Sequence, residues 1–388
     1  MQSIDYSKVI ENDAEIELYK YLANTVIQFL ANNNSAKFGE ILRFVGGSDR
    51  RMLRLLNELV KVNIITFENG RFHSSELQTI EFHQTEVGCP TCNGLLVSSL
   101  SFGEHVFDKM KEILDSRPSP TFLFDQRPVT LATTIRRVAY MAHRGDLINK
   151  RIAIIGDDDL TGIAIAFSGL AKEIKVFEID KRLISYIEEM AQRFDLDIKC
   201  INYDVTKPLP EEFLSRFDVF LTDPTPELVP FTVFVNTGIN LLAKNAGNVG
   251  YLSFYSSAMM VDIETQKNIT RMNLIITDLI PKFTEYSFIE ETFSQDDLRL
   301  LDKYAAGKGD ICFHESLCRV VTTTETKAIP LSYKLKQMMG KATVRSLTDF
   351  SKDPSSQMEN DQSYLAEVLT TIQQDQNRLM YTGEEDEP

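Results

Sequence analysis

The stretch Arg151-Ile-Ala-Ile-Ile155-Gly156-Asp157-Asp158-Asp159-Leu160-Thr161-Gly162 decides the fold. Ile152 to Ile155 is an apolar run closed by a glycine, the pattern of a strand buried in a parallel sheet, and an amphipathic helix follows it. A strand, turn and helix of this kind opens a βαβ unit. Its turn is normally Gly-rich, so that backbone N–H groups at the helix N-terminus receive an anion. Here the turn carries three carboxylates, which would repel a phosphate or a carboxylate. A ligand bound at this loop should therefore turn a cationic end toward it.

Downstream, strand and helix alternate, the signature of a doubly wound α/β sheet of the Rossmann-like kind. The spacing predicts a helix over Thr161 to Ile174, then a strand Lys175-Val-Phe-Glu-Ile-Asp180 ending with Glu178 and Asp180. Glu178 lies about 20 residues beyond Gly156, the interval at which such folds place the carboxylate that accepts from ribose hydroxyls. A helix over Ile184 to Phe194 leads to a third strand, Ile198 to Asn202, which delivers Tyr203 and Asp204. The fourth, Phe217 to Thr222, delivers Asp223-Pro224-Thr225-Pro226-Glu227. Helix Phe231 to Lys244 and strand Asn248 to Tyr255 continue the alternation. Arg271 to Ile280 reads as a helix, Tyr286 to Glu291 as a strand and Leu317 to Thr323 as a late strand.

Acids thus close four successive strands at their C-terminal ends, where open α/β sheets bind ligands. Any one of them alone reads equally as a helix cap or a solvated loop acid. Two are explained by an adenosine, with Glu178 on the ribose and Asp204 accepting from the adenine amino group. Gly156 to Asp159 and Asp223 then face the rest of the ligand and its co-substrate. S-adenosylmethionine would bring a carboxylate there, whereas decarboxylated S-adenosylmethionine brings only an amine and a sulfonium. Electrostatics prefers the second.

Upstream, helical spacing in Glu15 to Leu30, Phe38 to Phe44 and Met52 to Val60 leads into a strand pair, Asn63 to Phe67 and Arg71 to Ser74, joined by Glu68-Asn69-Gly70. Asn-Gly suits a tight hairpin. Residues 1–85 therefore read as a small winged-helix-like domain. Arg50, Arg51 and Arg54 open its third helix as a DNA-reading helix would, but Glu40, Asp49, Glu58 and Glu68 dilute that face, and a packing module fits as well. Residues 86–117 read as a connector carrying Cys89 and Cys92, a pair with zinc-knuckle spacing that lacks a second pair to complete a four-ligand site. Residues 118–335 hold the α/β domain. Asp125 and Gln126, just ahead of it, suit either a turn before Pro128 or a lid over ligand. Residues 336–388 read as an acidic tail.

Composition frames these readings. The chain has 388 residues, a formal net charge of −15 and five cysteines, an odd number against a disulfide framework. That charge disfavours general nucleic-acid affinity and suits a polycationic small molecule. No apolar run approaches the roughly 20 residues that span a bilayer, and residues 1–14 lack a signal pattern. The expectation is a cytoplasmic protein.

Gly156 to Thr161, with Phe124-Asp-Gln-Arg-Pro-Val-Thr130 and Gly145-Asp-Leu-Ile-Asn-Lys150 before it and Thr222-Asp-Pro-Thr-Pro226 after it, closely resembles the archaeal and bacterial branched-chain polyamine synthases, or N4-bis(aminopropyl)spermidine synthases. The resemblance runs to about residue 330. It implies an enzyme that moves aminopropyl groups from decarboxylated S-adenosylmethionine to the secondary amine of spermidine and releases methylthioadenosine, with no tightly bound cofactor, acting as a homodimer. A broader likeness to linear spermidine synthases implies Glu178 for ribose, Asp204 for adenine and Asp223 for the attacking amine. Those enzymes have a Gly-rich first turn, and Pro224 follows Asp223 here, so the local backbone near the amine differs.

On that reading Asp159 is the carboxylate expected nearest the attacking nitrogen, since the last position of the turn can project across the strand ends. Asp157 and Asp158 would hold the donor amine or the helix start, with Gln126, Gly156 and Asp180 also on the donor. Asp125, Asp223, Glu227 and Tyr255 would meet the polyamine, although Tyr255 fits core packing equally. Two rivals remain, an S-adenosylmethionine-dependent amine or nucleic-acid N-methyltransferase and a winged-helix polyamine sensor.

Overall fold

The computed structural model describes residues 16–46, 49–74, 97–98, 103–124, 126–225, 228–254, 259–286, 295–305 and 313–331. Asp125, Glu227, Tyr255, Cys89, Cys92 and the acidic tail lie outside the described residues. Among the described residues, no helix is long and apolar enough to cross a membrane, and no group of three or more His, Cys, Asp or Glu could hold a metal ion.

The chain forms two compact units. The first begins with α1 (Ile16–Asn33), β1 (Ser35–Ala36), α2 (Phe38–Val45), α3 (Asp49–Lys61), β2 (Ile65–Glu68) and β3 (Arg71–Ser74). Helical spacing places Val26, Leu30, Ile41, Leu53 and Leu56 on facing stripes that close one core over Phe72. The hairpin turns through Asn69 and Gly70, with φ of 52° and 74°, the left-handed pair that a two-residue turn needs. β1, which the sequence did not announce, makes a third strand in the order β1-β3-β2.

A later helix, Gln295–Tyr304, belongs to this first unit rather than to the α/β domain in which sequence placed it. It covers the α3 face that carries Arg54. That guanidinium donates twice to Asp297 at 2.8 Å, and the Tyr304 hydroxyl donates to Asn57 Oδ1 at 3.0 Å. A groove-reading helix keeps its basic face in solvent; here Arg54 is spent on an intramolecular ion pair.

The second unit contains α4 (Glu104–Ser116), α5 (Leu131–His143), β4 (Arg151–Ile155), α6 (Thr161–Ser168), β5 (Glu173–Glu178), α7 (Lys181–Phe194), β6 (Lys199–Asn202), β7 (Val219–Thr222), α8 (Leu228–Leu241), β8 (Val249–Phe254) and the greater part of α9 (Met259–Arg271), β9 (Leu274–Tyr286) and β10 (Phe313–Thr322). Seven strands run in the order β6-β5-β4-β7-β8-β10-β9. The first five are parallel, with Ile155 opposite both Phe177 and Thr222, and β10 is antiparallel to β8. Alternate residues of the strands feed two cores. Ile152, Ile154, Val176 and Leu221 meet Met110, Val138, Ile163 and Ile187 on one face, and Ala153, Ile155, Phe177 and Phe220 meet Phe231, Val235 and Ile269 on the other. Burial on both faces is why the central strands β4 and β7 are almost wholly apolar. The strand order reverses between β4 and β7, and the crevice beyond their C-terminal ends is where such sheets take ligands.

Beyond shifts of a few residues at several ends, the structure departs from the sequence reading at four places. Gly169, at φ 64°, ends α6 well before Ile174. Asp180 does not end a strand; its carboxylate accepts from the Arg182 N–H at 2.9 Å and caps α7. The helix expected over Arg271 to Ile280 instead ends at Arg271, and the chain turns at left-handed Asn273 into strand β9, as the β-branched run Ile275-Ile276-Thr277 favours. Finally, α4 lies inside the expected connector, with Val106, Met110 and Ile113 as its buried stripe.

Candidate active site

Gly156 leaves β4 at φ 70°, a conformation that glycine adopts at little cost, and its N–H donates to the Phe177 carbonyl at 2.9 Å. The chain then folds Asp157 beneath the start of α6. Its two carboxylate oxygens accept from the Thr161 and Gly162 N–H groups at 2.7 and 2.9 Å. The place where this class of fold receives an anion is therefore filled from within. Gly162 is required for that packing, because a Cβ there would stand 2.8 Å from Asp157 Oδ2. Burial pushes the Asp157 carboxyl well above its ordinary range, and the two helix N–H groups act against that.

Asp159 turns the other way. Sequence expected it to project across the strand ends; the structure buries its carboxylate under α5, where Oδ1 accepts from the Val129 N–H at 2.7 Å and Oδ2 from Arg137 Nη1 at 2.5 Å. Arg137 Nη2 donates to Asp223 Oδ2, to Ser253 Oγ at 2.8 Å and to Thr284 Oγ1 at 3.4 Å. The guanidinium is 1% exposed and ties the acid after β4 to the acid after β7 across the crevice where the strand order reverses. No sequence motif singled out Arg137. The available signal was an arginine beside Val138, Ala139, Tyr140 and Met141, since a charge flanked by such a run needs a buried partner.

Asp158 lies between them and keeps part of its surface in solvent. Its carbonyl accepts from Arg117 Nη1 at 3.0 Å, while no described donor bonds its carboxylate. Burial raises its pKa well above the usual range, and the charges of Asp159, Asp223 and Glu178 add to the rise, with Arg117 opposing. Asp159 is pushed up to about 6, by burial first and Asp223 next, against the pull of Arg137. Of the three consecutive aspartates, Asp158 is thus the one whose carboxylate can meet a ligand.

Glu178 ends β5 with its carboxylate held by three backbone donors, Asp157 N–H at 2.9 Å and the Ile179 and Asp180 N–H groups at 2.8 Å each. Burial raises its pKa and these bonds lower it. Held so, its carboxylate is fixed in orientation. Asp204 Oδ1 accepts from the Thr206 N–H and hydroxyl at 2.9 and 2.6 Å, and its second oxygen has no described donor. Gln126 and Asp180 are joined instead to each other at 3.0 Å, and Arg182 also donates to Asp180. Burial alone would raise Asp180; Arg182 and Gln126 outweigh it and hold the pKa low. These two residues pin the segment before α5 to the start of α7.

The site thus holds two groups of acids, Glu178 and Asp204 after β5 and β6, and Asp158 with the Arg137-linked pair Asp159 and Asp223 after β4 and β7. Residues 105–329, more than half the chain, match the family described as the branched-chain polyamine synthase A C-terminal domain. This chain belongs to the branched-chain polyamine synthase family. It is 39% identical over 290 residues to the N(4)-bis(aminopropyl)spermidine synthase of Methanocaldococcus jannaschii, spanning 72% of this chain and 82% of that one. Identity to the protein of the same name in Thermococcus kodakarensis is 34% over 270 residues, covering 66% and 76%. The fold is similar to that of the branched-chain polyamine synthase C9 mutein from Thermus thermophilus, solved in complex with N4-aminopropylspermidine and 5'-methylthioadenosine. The TM-score is 0.67 at 21% identity, over 84% of this chain and 97% of the other.

Proposed function

We propose that this protein transfers aminopropyl groups from decarboxylated S-adenosylmethionine to the central secondary amine of spermidine, giving N4-aminopropylspermidine, then N4-bis(aminopropyl)spermidine, and methylthioadenosine at each step. The observation that carries the reading is Asp157 seated on the N–H groups that open α6. A donor with a methionine carboxylate would meet an occupied anion site; a donor with a bare aminopropyl arm meets a favourable charge. The family's name agrees with it.

In each transfer the acceptor nitrogen uses its lone pair to form a C–N bond to the aminopropyl carbon next to sulfur. The C–S bond breaks, its electron pair returns to sulfur, and the sulfonium becomes a neutral thioether. The positive charge passes to nitrogen. Spermidine is mostly protonated near neutrality, so the acceptor nitrogen must first give up a proton. We assign that work to Asp158, whose raised pKa and lack of a donor partner suit a proton acceptor. After the first transfer the new ammonium still carries a proton to lose. The second makes a quaternary centre with none, so the base acts before bond formation there.

Glu178 is assigned to the ribose hydroxyls and Asp204 to the adenine amino group. Asp223, Glu227 and Asp125 are assigned to the ammonium groups of the polyamine, Tyr255 to a cation facing its ring, and a homodimer is the proposed assembly. Incubating the purified protein with spermidine and either donor, read by mass spectrometry, tests the function. Gain of one and then two aminopropyl units with the decarboxylated donor is expected. Methyl gain from S-adenosylmethionine, or no covalent change with either donor, would overturn it.

A further inference from the structure

We propose that Arg137 is a positioning residue for the transfer, clamping Asp159 and Asp223 on one guanidinium so that Asp158 is left to take the proton. The proposal rests on the aminopropyl-transfer reading above. Its basis is the convergence of distant parts of the second unit on a single guanidinium. Asp159 follows β4, Asp223 follows β7, Ser253 lies on β8, Thr284 lies on β9, and all four accept from Arg137. Left-handed Lys282, at φ 59°, kinks β9 just before Phe283 and Thr284, whose carbonyl and hydroxyl accept from Arg136 and Arg137.

A buried cation is costly unless paired, and Arg137, 1% exposed, is among the largest fully buried side chains of the described residues. Two carboxylates flanking one crevice repel each other unless a cation lies between them. The planar fork of arginine can serve both at once, whereas a lysine ammonium is a single point charge. The other charged groups facing the cluster are Asp157 and Asp158 from the turn, Glu178 from β5, Arg117 from the end of α4 and the neighbouring Arg136 on α5. From β8 and β9 the Ser253 and Thr284 hydroxyls accept from the guanidinium. Negative charge outweighs positive there, so removal of Arg137 leaves Asp159, beside the Asp223 carboxylate, harder to ionise. Asp158 then no longer titrates as the distinct base.

The test is the pH profile of kcat/KM for methylthioadenosine release with the decarboxylated donor and spermidine. In Arg137→Gln we expect a loss of more than about tenfold and an acidic limb moved upward by about one pH unit. Adding Asp159→Asn to Arg137→Gln removes the unbalanced charge and returns the limb toward its original position, although the rate stays low. Arg137→Lys keeps a charge but bridges poorly; it should lose rate with a smaller displacement of the limb. An unmoved limb in Arg137→Gln, or no return in the double variant, would mean a merely structural arginine and overturn the proposal. If the unaltered protein makes no aminopropylated product, the transfer reading itself fails. The melting temperature against pH then still reports on the clamp. Without Arg137 stability should fall more steeply as pH rises from 5 to 8, and an unchanged slope in Arg137→Gln and Arg137→Lys alike would refute it.

Discussion

Replacing Asp157 by Ala removes the carboxylate that fills the N-terminus of α6, and the donor preference should change with it. Two general magnitudes set the scale at this turn. A helix start is worth about 0.3–1 kcal/mol to an anion. A carboxylate about 6 Å from a second one, at an effective dielectric constant of about 20, is repelled by about 3 kcal/mol. Together they set the handicap of S-adenosylmethionine relative to its decarboxylated form at about 3–4 kcal/mol, a few hundredfold in affinity. Calorimetric titration with each donor gives that ratio directly. In Asp157→Ala the ratio should collapse toward unity, chiefly because S-adenosylmethionine binds better. The variant also leaves the Thr161 and Gly162 N–H groups without their acceptor. That costs about 2–4 kcal/mol of stability, so it must be titrated below its melting range. Asp157→Asn is the milder control, since it removes the charge while keeping one acceptor. An unchanged ratio in folded Asp157→Ala would refute the electrostatic account of donor choice.

Asp158→Asn should reduce methylthioadenosine release by at least about a hundredfold while leaving the melting temperature level or higher, since it removes a carboxylate with no described donor partner from among other acids; near-normal turnover would exclude it as the base. The acidic cluster also sets a pH response. Asp159, raised to about 6, binds more protons in the folded than in the unfolded state between roughly pH 4 and 6. It therefore adds on the order of 1–3 kcal/mol as pH falls through that window, and that increment is lost as pH rises. Asp157, Asp158 and Glu178 have the same sign. Asp180, Asp218 and Glu173 are held low and have the opposite sign, costing stability only on further acidification. Differential scanning calorimetry should find the ligand-free protein more stable at pH 5.5 than at pH 7.5 on about this scale, while activity falls over the same interval as the base is protonated. Glu178→Gln should weaken donor binding by more than about tenfold, because an amide cannot accept at both ends from Asp157, Ile179 and Asp180; calorimetry with the decarboxylated donor measures it. In the first unit, Arg54→Met should cost about 1–3 kcal/mol by leaving Asp297, 2% exposed on its side chain, without its bidentate partner; thermal melting reads it.

The sheet was legible in the chain because its signals are local. An apolar run such as Ile152 to Ile155, a glycine and a helical stripe follow one another in sequence, and their periods of two and about 3.6 residues declare strand and helix. Acids at the ends of the first four strands could be counted for the same reason. Local signals failed where the backbone's own conformation decided a boundary, as at Gly169 and Asn273. They failed again where a short amphipathic helix, α4, followed a segment that reads as linker.

What the sequence determined by itself was a parallel α/β sheet, acids at its ligand-binding edge and a first turn that repels anions. It could not divide the labour within Asp157-Asp158-Asp159. Neighbouring residues in a tight turn point in different directions, and those directions depend on groups brought near by folding. The start of α6 claims Asp157, and Arg137 from α5 claims Asp159, which leaves Asp158. Only tertiary structure could decide this. A buried guanidinium must find carboxylates 22 and 86 residues along the chain, and long-range charge pairing leaves no periodic trace in sequence.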